Sequence, residues 1–279
     1  MQSELLLRTV SGVILGLLVL YLAWIGGLGF KLLSVVIMAL VFFEWFRIVQ
    51  TRSLSTQVWA VGICTIAATG ICILAGWGSL ALAVTAAGAG LSLLIRLLEG
   101  LDGWPALGLV YAGFSGAAFA ELRDSGSYGF AAVIFVLAVI WATDIFAYFG
   151  GRRFGGPKLA PVMSPKKTWS GFASGLFGGM LVGVFAAMVL TDSRFVWAAL
   201  LAALLSLAGQ MGDLFESNFK RQFGVKDSGA IIPGHGGVMD RVDSVIFAAF
   251  AAYVIGAALP GNEIPPGEGN GIALQLLGP

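Results

Sequence analysis

Residues 129–149 read G-F-A-A-V-I-F-V-L-A-V-I-W-A-T-D-I-F-A-Y-F. The run is apolar throughout and carries a single charge, Asp144, with Tyr148 one turn further on. A helix needs about 20 such residues to cross the hydrocarbon of a bilayer, so this stretch predicts a transmembrane helix. Read outward from it in both directions, the chain offers eight more runs, at roughly 8–26, 29–49, 57–76, 79–98, 104–120, 171–190, 195–215 and 242–259. The run at 104–120 is the weakest, because it is short and Gly103, Trp104 and Pro105 crowd its start. Composition agrees: 58% of residues are hydrophobic and 11% charged, where soluble domains carry about 25% charged residues. The predicted fold class is therefore all-α, a polytopic integral membrane bundle of about nine transmembrane helices. Residues 1–125 hold the N-terminal transmembrane helices and 126–260 a transmembrane region with two basic loops. Residues 261–279 form a Gly- and Pro-containing tail expected to be flexible.

The net charge of +1 gives no ground for a nucleic-acid partner. Cys64 and Cys72 lie about two helical turns apart in one apolar run, or ~12 Å, beyond disulfide reach. Both are expected to be buried free thiols. The first run lacks a small-residue cleavage site before the second, so it reads as an uncleaved span. Glycine is abundant, 40 of 279 residues, which favours close helix contact or loose, kinked helices.

Orientation follows from the basic residues in the loops. With the N-terminus in the cytoplasm, only Lys31, Arg123 and Arg194 of the 16 Lys and Arg fall outside. The two most basic loops follow the sixth and eighth runs. Two crossings separate them, so both face the same compartment, the cytoplasm by this bias.

The second of those loops belongs to the stretch Ser217–Asp243, S-N-F-K-R-Q-F-G-V-K-D-S-G-A-I-I-P-G-H-G-G-V-M-D-R-V-D. It gathers Lys220, Arg221, Lys226 and Arg241 with Asp227, Asp240 and Asp243, and holds the only histidine, His235. Glycines let backbone N–H groups turn toward an anion. Pro233-Gly234-His235-Gly236-Gly237 beside the basic residues thus suits a triphosphate, although an ordinary turn has the same composition. Just upstream, Asp213, Glu216, Ser217 and Lys220 recur at helical spacings of three and four and share one face. Ionisable groups at membrane depth are expensive and functional by default; the competing account of Asp213 is an interfacial carboxylate paired with Lys220. Asp240 and Asp243 sit three apart at the start of the ninth run. Carboxylates there are favourable for dipole reasons alone, yet they also suit Mg²⁺, which takes a few carboxylates plus substrate phosphates and waters. Asp144 needs a partner or a polar cavity. The first basic loop, from Gly150 to Gly171, offers Ser164, Lys166, Lys167, Thr168 and Ser170 for phosphate, or alternatively topogenic charge for anionic lipid.

These residues resemble a known family, the phosphatidate cytidylyltransferases or CDP-diacylglycerol synthases. Ser217 to Asp243 is similar to the family's C-terminal motif without a gap, as are S-P-K-K-T-W at Ser164–Trp169 and G-D-L-F-E-S at Gly212–Ser217. Ser170 stands where many relatives have Glu, so no acid role is assigned there. The motif-bearing resemblance covers about residues 140–260; the first 130 residues agree in hydropathy only.

The resemblance implies the reaction CTP + phosphatidate → CDP-diacylglycerol + diphosphate in phospholipid biosynthesis, with Mg²⁺ and a second cation such as K⁺ as an option. It implies metal ligation by Asp213, Asp240, Asp243 and Asp144. Catalytic roles fall to Asp213, Lys220, Arg221, Lys226, Asp240, Arg241 and Asp243. Substrate binding falls to Ser164, Lys166, Lys167, Thr168, Ser217, His235, Gly236 and Gly237. CTP, phosphatidic acid, membrane lipids and a second copy of the chain are the implied partners, in a bacterial inner (cytoplasmic) membrane with the site facing the cytoplasm. Two rivals remain open at this point: a CTP-dependent polyprenol or phytol kinase of related fold, and a transporter.

Overall fold

The computed structural model describes all residues except Met1, Ser53, Asp192, Pro233, His235, 260–269 and Pro279; the side chains of residues 2–8 and of Arg52 are likewise not described. The helices are α1 (Gln2–Ile25), α2 (Gly27–Val49), α3 (Thr56–Ala75), α4 (Gly78–Leu98), α5 (Trp104–Arg123), α6 (Gly129–Phe154), α7 (Trp169–Leu190), α8 (Phe195–Gln222), α9 (Met239–Ala258) and the short α10 (Ile272–Leu277). Among the described residues, eight helices are long and apolar enough to span a bilayer, and α1 adds the shorter apolar stretch Thr9–Ile25. The polytopic all-α bundle expected from hydropathy is the fold observed, with the runs falling on α1 to α9. One small β element joins it. Strands β1 (Lys158–Ala160) and β2 (Ser164–Thr168) pair antiparallel, Lys158 opposite Thr168 and Ala160 opposite Ser164.

Two compact units make up the chain. The first comprises Met1–Ala120 with Gln222–Val242, the second Glu121–Arg221 with Asp243–Pro279. In the first, α3 and α4 form a helical hairpin closed by Gly76. At φ 78° that residue takes the left-handed conformation a glycine adopts without penalty. Its N–H reaches Ile73 O, and the Trp77 N–H reaches Cys72 O at 2.9 Å, which satisfies carbonyls the helix end leaves open. Buried Thr69 and Thr85 then pair hydroxyl to hydroxyl at 3.0 Å across the hairpin. The core of the unit is aromatic. Trp45 is fully buried, lies beside Tyr111 and Trp104, and donates its indole N–H to Trp104 O at 2.9 Å. Arg96 is equally buried and is held by Asp102, through the backbone oxygen at 3.0 Å and Oδ1 at 3.4 Å, and by Glu99 at 3.6 Å. Cys64 and Cys72 are both free, but Cys64 is exposed on α3 and only Cys72 is buried. The expectation that both are buried fails because a membrane helix turns one face outward, and apolar sequence does not say which.

In the second unit, α6 and α7 approach closely along a stripe of small residues. Gly171, Gly175, Gly179 and Gly183 recur every fourth residue and are all buried. A Cβ on Gly175 would meet Thr143 O at 2.9 Å, and one on Gly183 would meet Val139 Cγ2 at 2.7 Å and Ala202 Cβ at 2.6 Å. Without a hydrophobic driving force between helices in lipid, such backbone proximity is what packing can use. Thr143 adds a buried hydrogen bond to Ser206 of α8 at 2.8 Å. Helix α8 continues past the predicted limit of residue 215 to Gln222, helped by the pair Lys220–Glu216 at 2.8 Å, four residues apart.

The tail over its described part, 270–278, does not have the flexible character expected of 261–279. Ile272, Ala273, Leu276 and Leu277 of α10 are buried, the Trp197 indole donates to Leu276 O at 2.8 Å, and Asn270 donates to Glu121 Oε2 at 2.7 Å. Its apolar residues find a surface within the unit, which Gly and Pro content alone does not reveal.

The glycine stripe makes a differential prediction. Gly183→Val overpacks the α6–α7 contact and should destabilise the protein by about 1–3 kcal/mol, read as a lower melting temperature in detergent. Gly90→Ala on α4, where an added methyl meets nothing within 4 Å, should be neutral or stabilising by up to about 1 kcal/mol.

Candidate active site

The candidate residues separate into two groups, one in each unit. In the second unit, Asp213 lies on the stretch of α8 that carries the helix toward its charged end, and Lys167 lies on β2. The hairpin turns the basic loop back so that Lys167 Nζ forms an ion pair with Asp213 Oδ2, both side chains about one-third exposed (27% and 32%). Ser217, one turn after Asp213, donates to Oδ1 at 3.3 Å. The shared helical face expected for Asp213, Glu216, Ser217 and Lys220 divides in use: Lys220 pairs with Glu216 and Lys167 takes Asp213.

Asp243 of α9 and Asp144 of α6 stand within electrostatic range of Asp213 and Lys167. Gly212 makes part of that proximity possible, since a Cβ there would meet Asp243 O at 2.6 Å. Asp243 Oδ1 accepts the Ser244 N–H at 2.7 Å. The second unit thus brings Asp144, Asp213, Asp243, Ser217 and Lys167 together. Thr168 is spent locally. Its buried hydroxyl caps α7, accepting the Gly171 N–H at 3.1 Å, and meets Ser170 Oγ at 3.0 Å. Lys166 is exposed on the hairpin and Arg221 at the end of α8, while Ser164 pairs with Ala160. Tyr148 is directed to Arg152, whose guanidinium donates to the phenol oxygen at 2.6 Å.

In the first unit, the described residues among 224–238 form a loop built on glycines at positive φ, among them Gly224 (70°), Gly234 (76°) and Gly236 (86°). The Ile232 N–H donates to Gly236 O at 2.9 Å and closes the turn; His235 lies outside the described residues. Asp240 faces this loop. Its carboxylate accepts the Ser228 N–H at 3.0 and 3.1 Å and the Gly237 N–H at 2.9 Å. Lys226 and Arg241 are exposed. The sequence groups Gln222–Val242 with residues 126–260; in the structure it falls in the same compact unit as Met1–Ala120. Glu44 of α2, not among the expected site residues, is a buried carboxylate hydrogen-bonded to this loop. The sequence carries a signal for it, an acidic residue inside the predicted span 29–49.

Among the described residues, no three His, Cys, Asp or Glu side chains are gathered tightly enough to hold a metal by themselves. Chemically, the second unit offers cations for phosphate oxygens beside carboxylates that suit a hard cation.

The model of the cytidylyltransferase family matches residues 6–259. Over 265 residues the chain is 42% identical to the phosphatidate cytidylyltransferase of Brucella suis biovar 1 (strain 1330), covering 95% of this chain and 97% of that protein. The Brucella abortus biovar 1 (strain 9-941) protein of the same name is 43% identical over 257 residues, 92% of this chain and 94% of the relative. That of Staphylococcus epidermidis (strain ATCC 12228 / FDA PCI 1200) is 44% identical over 140 residues, 50% of this chain and 54% of the relative.

Asp213→Asn and Asp243→Asn should each lower CTP-dependent turnover by about 100-fold or more, the scale of losing one preorganised electrostatic group. Elution profile and melting temperature should stay near wild type. Near-wild-type turnover in either variant would remove that carboxylate from the site.

Proposed function

The chain belongs to the cytidylyltransferase family, and on that premise we propose that it is a phosphatidate cytidylyltransferase, transferring CMP from CTP to phosphatidic acid with release of diphosphate. The observation that carries the reading is the Lys167–Asp213 pair with Asp144 and Asp243 in range, in a protein of membrane-spanning helices. A reaction between a lipid phosphate and a nucleotide triphosphate needs this kind of chemistry. The phosphatidate phosphate is ionised at neutral pH and is itself the nucleophile. One of its oxygens bonds to the α-phosphorus of CTP as the bond from that phosphorus to the bridging oxygen of diphosphate breaks, and the diphosphate departs with the electron pair. No protein nucleophile and no proton transfer are required; what must be overcome is the repulsion of two polyanions. Lys167 and Lys166 on the hairpin, with Lys220 and Arg221 at the end of α8, supply positive charge to the phosphates.

Asp144, Asp213 and Asp243 of the second unit are hard oxygen donors; they are not gathered tightly enough to hold Mg²⁺ by themselves, and substrate phosphates and waters would complete its shell. Bound there, it would add charge neutralisation to that of the lysines. Asp240 belongs to the first unit, where its carboxylate accepts the backbone N–H groups of Ser228 and Gly237. The positive-inside bias supports basic loops in the cytoplasm, where CTP is found, and the bacterial relatives support a bacterial cytoplasmic membrane. Dimer formation, with a second copy as partner, belongs to the same proposal.

Purified protein incubated with phosphatidate, Mg²⁺ and CTP labelled at the α- or the γ-phosphate tests this. The α-label should enter lipid with one diphosphate released per CMP transferred, and chelation of Mg²⁺ should abolish the transfer. Entry of the γ-label would indicate a kinase. No diphosphate release with any lipid phosphate would favour a transporter.

A further inference from the structure

Gln210 stands in the run L-A-G-Q-M-G-D at 207–213 of α8, one turn to the apolar side of Asp213. Ser206, Gln210, Asp213 and Ser217 follow one another at spacings of four, three and four, so they share one helix face. The other three members of that face have partners. Ser206 accepts the hydroxyl of Thr143 on α6 at 2.8 Å, Lys167 pairs with Asp213, and Ser217 donates to Asp213 at 3.3 Å. Gln210 differs: its Nε2 is buried and meets no hydrogen-bond acceptor among the described residues. The residue as a whole is half-buried and so is accessible to a ligand.

A buried amide N–H without an acceptor is costly, and buried polar side-chain atoms are as a rule hydrogen-bonded. The surroundings offer little to meet this one. Carbonyls in the interior of a helix are committed to N–H groups one turn on, Gly209 and Gly212 beside it carry no side chain, and hydrocarbon holds no water to stand in. What a membrane does supply at this level is lipid. Three residues of rise place Gln210 about 4.5 Å deeper along α8 than the Lys167–Asp213 pair. In phosphatidate the ester carbonyls lie between the phosphate and the acyl chains. With the phosphate at Lys167, those carbonyls fall on the apolar side of the pair, at the level of Gln210. An ester carbonyl only accepts hydrogen bonds and the amide NH₂ only donates them, so the two groups complement each other. CTP is a soluble polyanion and has no reason to descend to that depth.

We infer that Gln210 is a specificity-determining residue for the lipid: its Nε2–H donates to an acyl ester carbonyl of phosphatidate and so favours ester-linked over ether-linked substrate. The inference rests on the reading that the lipid phosphate is held at Lys167, beside Asp213. It deepens that reading by naming the lipid class, a diacyl ester phosphate, and it assigns a role to an uncharged residue of the same helix face. No group is transferred and no proton moves in this contact; its effect is on the binding and depth of the lipid.

The test uses full-length protein and two phosphatidates of equal chain length, one diester and one diether, whose phosphates are identical. Wild type should use the diester with a KM about tenfold lower than for the diether, the scale of one hydrogen bond to a buried donor. Gln210→Met keeps the volume and removes the donor. It should raise the KM for the diester about tenfold and leave that for the diether within about threefold, so that the preference disappears. The KM for CTP should stay within about threefold of wild type. An equal rise in both lipid KM values would point to a contact with the phosphate or to a merely structural role, and would overturn the inference. So would a wild type indifferent to the linkage, or a preference retained in Gln210→Met. Should Gln210→Met not fold, the wild-type comparison decides. Should wild-type protein transfer no CMP to either lipid, the functional reading fails separately. Thermal stabilisation then still tests the contact. The diester should raise the melting temperature of wild type more than the diether does and lose that advantage in Gln210→Met; equal stabilisation of wild type by both lipids overturns it.

Discussion

Hydrocarbon neither hydrogen-bonds nor solvates charge, so an ionisable group carried between membrane helices needs partners from the protein. This constraint explains where the polar residues of the chain are found and how they are held. Arg96, fully buried, is met by Asp102 and Glu99 within a few residues of sequence. Glu44 draws its donors from the far end of the chain. Asp213 takes the ammonium of Lys167 from a hairpin that exists because the basic loop folds back on itself. In each case the polar contact also fixes backbone: the α4–α5 turn, the start of α9, the β2 strand.

The same constraint shapes the chemistry. The proposed site would set charge of both signs against two phosphates, cations for the oxygens and carboxylates for a divalent ion, and both are hard to keep in an apolar setting unless each neutralises the other. In the second unit they do: Lys167 rests on Asp213, with Asp243 and Asp144 in range. Close packing provides the space. Gly212 admits the backbone of α9 beside α8, and the Gly171–Gly183 stripe lets α7 lie against α6, the helix that bears Asp144.

Much of this is legible in sequence because hydropathy is a sum over many residues. All nine apolar runs fall on helices α1 to α9, and Asp213 and Ser217 share a helical face because their spacing requires it. What was not legible depends on contacts remote in sequence. The β1–β2 hairpin, interrupted by prolines at its turn and in β2, has little strand character of its own. Helix α10 is six residues long and owes its place to Trp197 and Glu121. Thr168 reads as a phosphate ligand and serves as a helix cap. Asp240 reads as a metal ligand, and its carboxylate is turned to the loop backbone. The partners of Glu44 lie 184 to 195 residues away in sequence, although its place in an apolar run marks it.

In the proposed reaction, cations and carboxylates, and no covalent intermediate, carry a single in-line displacement at the α-phosphorus of CTP. The stereochemical course with CTP made chiral by sulfur at that phosphorus tests it most directly. Inversion of configuration is expected in the thio-CDP-diacylglycerol formed. Retention, which requires a second displacement through a cytidylylated enzyme group, would contradict it.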